Sequence, residues 1–408
     1  GSIDIVEMLL AARADPDVED FEGLTALMVA ARKGHVNIMR LLISHHKDSV
    51  NLESSRGVTA LDMAVLENQL EAARMLLDAG ANVYSYRYPQ DRYNVTNLAV
   101  SHDSVELTRL LLAAKARPAT VAEYDSDPLI VVASRKGNAE IVRDLLNFGI
   151  RQLEHNLELT DAMYEAVKNG NINVVKVLAE AGANVNMQVK DCSPGAPLLL
   201  AAHRGDLAAL ETLIKAGAYI NAAPPGDVPA LWFALRSMHM DCFRALIAAK
   251  AELEVRDEYG HTLLMGAAYM GEFDAVQELI RAGANIDAQD FYKAGVLSHA
   301  ATAEVANVLI AARAALDARD GYGSTPLMYA ARLKRAAVVE TLLKAGANVN
   351  DKSYSGMSAL LESLSPCHGF FDEDIVRMLL TTRADVDGVD SYGNGALLLA
   401  VRNCRDVS

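Results

Sequence analysis

Two places in this sequence set reactive side chains next to each other. Cys367-His368 offers a thiol and an imidazole, the groups from which an activated cysteine nucleophile is made, and His45-His46 offers two imidazoles of the kind that hold zinc. Neither spacing supports that chemistry. Adjacency in the chain does not bring a thiol against a ring, and no third group that would orient the imidazole is identifiable. Neighbouring histidines near a helix end point apart, and the further ligands a metal needs are absent. No GxSxG, P-loop, HExxH or GxGxxG segment stands in the strand-to-helix setting from which those motifs act. The four cysteines, Cys192, Cys242, Cys367 and Cys404, are too scattered for a disulfide framework or a CxxC pair. The sequence therefore predicts no catalytic group, no metal and no cofactor, and it fits a reducing, intracellular setting, cytoplasmic or nuclear.

The elements that would carry any function are repeated ones. Asp320 to Asn350, DGYGSTPLMYAARLKRAAVVETLLKAGANVN, opens with a D-x-x-G turn, and Thr325-Pro326-Leu327 reads as a capped helix start with proline at the first helical position. A short helix carrying Ala330 and Ala331 follows. A second helix has Val338, Val339, Leu342 and Leu343 on one apolar face, and Gly346 ends it in left-handed backbone. The same closing words return as Gly-Ala-Asn at Gly80, Gly182 and Gly283, with Gly-Ala-Tyr at Gly217. Units start near Asp20, Ser54, Tyr88, Tyr124, Leu157, Asp191, Pro225, Asp257, Asp290, Asp320 and Asp351.

This unit resembles the ankyrin repeat, whose period is about 33 residues with a T-P-L-H-x-A core. The resemblance covers essentially the whole chain. It implies an all-α, elongated ankyrin-type solenoid of about eleven full helix-turn-helix repeats plus half repeats at both ends, joined by β-hairpin-like turns. Gly1 to Leu10 matches Gly34 to Ile43, and the last repeat stops as its second helix should begin, so both ends read as cut within a repeat. Residues 1–408 are expected to be one array, a fragment of a longer chain, weakest near 88–123 and 290–319, where the connection between helices is shortened. A loop from Ser363 to Gly369 is expected to protrude. Only Thr325-Pro326-Leu327 keeps T-P-L, and the family histidine is replaced by Met28, Asp62, Met265 and Met328, so those turns are expected to depend on packing more than on polar ties.

In such a stack the ends of the first helices face a concave groove. Here they carry Arg32, Lys33, Arg135, Lys136, Lys168, His203, Arg204, Arg236, Tyr269 and Arg332, a basic row on a chain whose formal charge is −15. One reading is a positive groove for an acidic or phosphorylated segment. The other is that cations are favoured at helix C-termini whatever the partner, as the family commonly shows. A second candidate is the long turn YSYRYPQDRY, with Tyr84, Tyr86, Arg87, Tyr88, Arg92 and Tyr93, the residue types that dominate interface hot spots. Further aromatics fall at or beside the second and third positions of the D-x-x-G turns: Phe21, Tyr259, Tyr292, Tyr322, Tyr354 and Tyr392. They are open to a ligand, although tyrosine there is ordinary in the family. Trp232 aligns with the family histidine and reads as a half-buried packing residue.

The expected function is a non-catalytic protein-protein interaction scaffold that presents a rigid groove and projecting turns. Two alternatives stand beside it: the regulatory or targeting arm of a larger enzyme, channel or effector, and a structural subunit of a large assembly. The acidic balance argues against nucleic acid as the main partner. No apolar run reaches the ~18 residues of a membrane span, so membrane insertion is not expected. Oligomeric state is not legible.

Overall fold

The computed structural model describes residues 2–55, 57–83, 95–116, 128–148, 157–186, 196–223, 228–365 and 372–403, and among them every regular element is a short helix. The tyrosine-rich turn at 84–93, Cys192, Cys404 and Cys367-His368 with most of the expected protruding loop lie outside the described residues.

The repeat from Asp320 to Asn350 folds as its sequence predicts. Thr325 caps the helix Pro326–Arg332 in extended backbone, and Pro326 occupies a position whose N–H would have no partner. The second helix, Ala336–Lys344, buries Val338, Val339 and Leu342. Gly346, with φ of 91°, donates its amide to the Leu343 carbonyl and closes the helix. At the same point of other repeats Arg13, Lys115, Lys250, Arg313 and Arg383 take the same left-handed conformation, although each carries a side chain. The closing turn is therefore set by the fold and not by the presence of glycine.

The family histidine's substitutes are more polar than expected. Asp62 completes a capping box: its carboxylate accepts the Thr59 amide at 2.8 Å while the Thr59 hydroxyl accepts the Asp62 amide. Met328 sulfur accepts the Thr325 amide at 3.5 Å. Packing does not hold these turns alone.

Packing separates the chain into two units, residues Gly1–Ala201 with Ala208–Ala218, and residues Ala202–Leu207 with Tyr219–Ser408. The first has a core of Leu27, Leu61, Leu76, Leu107 and Leu145 interleaved with small residues such as Ala31, Ala64 and Ala99. The second packs Phe243, Leu279, Leu309 and Leu342 among Ala234, Ala267 and Ala331. Trp232 belongs to this second core. It is 4% exposed, more deeply buried than the sequence suggested, because Gly266 leaves room for its ring: a Cβ there would stand 2.5 Å from the indole Cη2. The indole N–H reaches the Val255 carbonyl at 3.4 Å.

Asp20, Asp257, Asp290, Asp320 and Asp390 all use Oδ1 to accept two backbone amides, two and four residues on, at 2.7 to 2.9 Å. Each of these turns is built on its aspartate: four are D-x-x-G, and at Asp290 Lys293, with φ of 64°, stands in the place of the glycine. The hairpin-like character is visible as single antiparallel bridges, Arg256 to Thr262, Gln289 to Gly295 and Val389 to Gly395. In the repeat from Asp290 the first helix is only Val296–His299. Its foreshortened end leaves carbonyls without helical partners, and Arg335 fills the gap, donating to the carbonyls of His299 and Ala300 at 3.1 and 2.8 Å. Burial lowers the pKa of this guanidinium.

Candidate partner-binding surface

In the first unit, Arg32 and Lys33 end the helix Ala26–Lys33, Arg135 and Lys136 end Leu129–Lys136, and Lys168 ends Leu157–Lys168. The C-terminal position suits a cation, but most of these charges already have acids. Arg32 meets Glu22 at 3.4 Å. Arg135 and Lys168 converge on Glu165, at 3.0 and 3.3 Å. Burial raises the Glu165 carboxyl, and hydrogen bonds from Arg135 and Lys168 outweigh it and hold the group below its usual range. Lys33 and Lys136 are exposed and make no ion pair among the described residues.

The second unit repeats the pattern. Arg332 lies 4.4 Å over the Tyr329 ring and 4.0 Å from Glu362. Burial raises the Glu362 carboxyl against the pull of Arg332 and Lys334. His203 packs edge-on against Phe233 and shares a hydrogen bond with Ser237 at 3.0 Å. Tyr269 is exposed with Arg335 over its ring at 5.7 Å. Arg204 and Arg236 are exposed, with no ion pair among the described residues. In each unit part of the basic row is thus met by carboxylates, and its unpaired members are fewer than the sequence implies.

The turn tips of the second unit are more continuous. Tyr259, Tyr292, Tyr322, Tyr354 and Tyr392 are all exposed, the last three by 63%, 76% and 87%. Backbone hydrogen bonds tie each tip to the next: Phe291 N to Tyr259 O, Gly321 N to Tyr292 O, Tyr354 N to Tyr322 O, and Ser391 N to Ser355 O. Tyr292 and Tyr322 stack with ring centroids 6.5 Å apart. Arg256 and Arg319 brace the same turns from beneath, each donating to a carbonyl of its own turn and one of the next. Aromatic rings on a hydrogen-bonded line of turns form a preordered apolar edge.

Comparison with known proteins agrees with this architecture. A family model described as ankyrin repeats (3 copies) matches residues 1–86, 96–189, 198–290 and 293–353, and a second, ankyrin repeats (many copies), matches 160–226. The chain belongs to the ankyrin repeat family. It is 32% identical over 390 residues to the ankyrin repeat and KH domain-containing protein mask-1 of Caenorhabditis elegans, covering 90% of this chain and 13% of that protein. It is 28% identical over 203 residues to the nuclear factor NF-kappa-B p105 subunit of Gallus gallus, 49% of this chain and 20% of the relative. It is 22% identical over 298 residues to the human transient receptor potential cation channel subfamily A member 1, 71% and 23% respectively. The chain therefore spans less than a quarter of these relatives. Ankyrin repeats are protein-protein interaction modules, and among the described residues no helix is long and apolar enough to cross a membrane.

One group of chemically capable residues escaped the sequence reading. His45 and His46, the adjacent pair, are spent locally: His45 Nδ1 lies 3.1 Å from the Leu41 carbonyl, and His46 Nδ1 lies 2.6 Å from Asp17. Two other imidazoles, His261 and His299, meet at one turn aspartate. Asp290 Oδ2 stands 3.8 Å from His261 Nε2 and 3.2 Å from His299 Nε2, and the two rings lie edge to face at 4.9 Å. Burial raises the Asp290 carboxyl, but contact with His299 and the amides of Ala294 and Tyr292 hold it below its ordinary value. The signal that would have found this set is the ankyrin register itself: His261 lies four residues after one turn aspartate, and His299 nine residues after the next.

Proposed function

We propose that the chain is a protein-interaction scaffold without chemistry of its own, and that its partner docks along the turn tips of the second unit, with the unpaired cations of the first helices setting charge preference. The observation that carries this reading is the hydrogen-bonded line of exposed aromatic tips at Tyr259, Tyr292, Tyr322, Tyr354 and Tyr392. Rings presented on a preordered edge lose little conformational freedom on binding, and several tips contribute to one contact. In the second unit Arg204 and Arg236 are the cations left to meet an acidic or phosphorylated segment; Lys33 and Lys136 offer the same charge in the first unit. The pairing of Arg135 with Glu165 and of Arg332 with Glu362 supports reading those two as bracing between repeats, while Lys168 meets Glu165 within its own helix.

A photo-crosslinking amino acid placed at Tyr322 tests the tips directly, with Asp274, on a second helix, as the comparison site. Capture of a discrete protein at Tyr322 and none at Asp274 supports the reading; equal capture at both sites refutes it. A second reading, in which the array is the regulatory or targeting arm of a larger protein, is supported by the relatives, of which the matched segment makes up less than a quarter in a protein named for a KH domain and in one named for a cation channel.

A further inference from the structure

We infer that His261, Asp290 and His299 form a binding site for one divalent transition-metal ion of the zinc class, clamping two successive repeats of the second unit. The donor atoms, one from each residue, all lie within 4.8 Å of one another. Ligands around a tetrahedral zinc at ~2.0–2.1 Å stand roughly 3.3 Å apart. The 3.2 and 3.8 Å separations to Asp290 Oδ2 are already close to that, so rotation of the imidazoles completes the set. Two imidazoles and one carboxylate are a recognised ligand combination for zinc and for other borderline divalent metals, and leave a further position for water.

Asp290 and His261 are aimed by contacts that leave their donor atoms uncommitted. Asp290 Oδ1 is occupied by the amides of Tyr292 and Ala294, at 2.8 and 2.9 Å, so only Oδ2 faces the histidines. His261 Nδ1 lies 3.1 Å from Asp257 Oδ2, which places the proton on Nδ1 and the lone pair on Nε2, toward Asp290. Asp257 is itself fixed by the amides of Tyr259 and His261 on Oδ1. A carboxylate behind a metal-binding imidazole is the usual orienting partner. His299 Nε2 is buried, yet it makes no well-aligned hydrogen bond despite its 3.2 Å separation from Asp290 Oδ2. An ion at the centre of the three donors would satisfy it. The charged groups around the site are Asp257 behind His261 and Arg335, whose guanidinium is engaged by the backbone carbonyls of His299 and Ala300. Tyr259 flanks the His261 ring at 5.7 Å.

The neighbouring repeat supplies a structural control. At Asp320 the place of His299 is taken by Tyr329, whose hydroxyl donates to Oδ2 at 2.8 Å, and the place of His261 is taken by Ala294. That arrangement satisfies the aspartate with no metal ligand beside it. His261→Ala together with His299→Tyr therefore copies a solution this fold already uses, and removes two of three ligands.

The test uses the full chain after chelator treatment, with Zn2+ titrated by calorimetry and Co2+ followed by visible absorption. The wild type is expected to take up one more equivalent of Zn2+ than the double variant, and to show ligand-field bands of a four- or five-coordinate Co2+ that the variant lacks. Hydrogen exchange gives a second readout that needs no variant. At a hundred times the dissociation constant, Zn2+ is expected to slow opening at the Tyr292 and Ala294 amides by up to about a hundredfold. The Tyr322 and Ser324 amides of the Asp320 turn, measured in the same molecule, serve as the reference. Equal stoichiometry in wild type and variant, or protection that does not favour the Asp290 turn, overturns the inference.

Discussion

Tyr329→Phe isolates what a side-chain donor on a turn aspartate contributes. Asp320 is 4% exposed and receives the Tyr322 and Ser324 amides on Oδ1, while the Tyr329 hydroxyl supplies Oδ2 at 2.8 Å. Phenylalanine keeps the ring and its place under Arg332 but leaves one oxygen of a buried carboxylate without that donor. A hydrogen bond to a charged acceptor is worth about 1.5–3 kcal/mol net. Since phenylalanine is easier to bury than tyrosine, we expect a loss of about 2 kcal/mol. The pH dependence has a definite sign. Burial first, and then Asp320, pushes the Tyr329 phenol from its ordinary 10.0 up to about 12. The folded protein keeps a proton that the unfolded chain has lost, so the stabilisation is whole below pH 10 and fades as pH rises through about 12. The gap between wild type and variant is therefore flat near neutrality and closes in strong alkali. Urea unfolding read by Trp232 fluorescence, at pH 8 and again at pH 11.5, measures it. Equal midpoints at pH 8, or a gap that widens with alkali, would refute the reasoning.

Three other perturbations follow from the turns and the core. Lys250→Gly and Arg313→Gly relieve side chains held at φ of 63° and 68°, and each is expected to stabilise the protein by up to ~1 kcal/mol in urea unfolding, since left-handed backbone disfavours a Cβ. Gly323→Ala is expected to destabilise more than Gly346→Ala, although both have positive φ. A Cβ at Gly323 would stand 3.0 Å from the Tyr354 amide nitrogen, whereas nothing lies within 4 Å of one at Gly346; similar losses in thermal melts would show that the close approach is unimportant. Burial, assisted by Asp206 and Asp241, pushes the Cys242 thiol up to about 11, so the native protein should react slowly with iodoacetamide at pH 8 and accelerate sharply in urea. Fast labelling without denaturant would contradict that burial.

The repeat was legible because its signals are local. Thr325-Pro326 starts a helix, Val338, Val339 and Leu342 mark one helix face, and D-x-x-G marks a turn, each within a few residues of sequence. What local pattern hid was pairing across repeats. Glu165 stands one helical turn before Lys168 and that pair is local, but nothing near Arg135 announces that it meets the same carboxylate, because its contact depends on how one repeat stacks on the next. Trp232 looked half-buried because the space it fills is created in the following repeat, at Gly266. A thioether ordinarily contributes packing alone, yet Met328 makes a polar contact because the cap places the Thr325 amide against it.

The turn aspartates show how such a fold separates structure from chemistry. In the turns at Asp20, Asp257, Asp290, Asp320 and Asp390 one carboxylate oxygen is committed to the backbone, and that commitment fixes the turn whatever else happens around it. The second oxygen is left to side chains four or nine residues on, or to the preceding repeat. It receives Tyr329 at Asp320, Asn394 at Asp390, His261 at Asp257, and two histidines at Asp290. Because the Oδ1 bonds are the same in each case, substitution on the Oδ2 side changes polarity and ligating capacity while the turn geometry is retained. That freedom explains why a constellation suited to metal can stand at Asp290 without departing from the repeat, and why it is found by comparing register positions between repeats and not by scanning for neighbours in sequence.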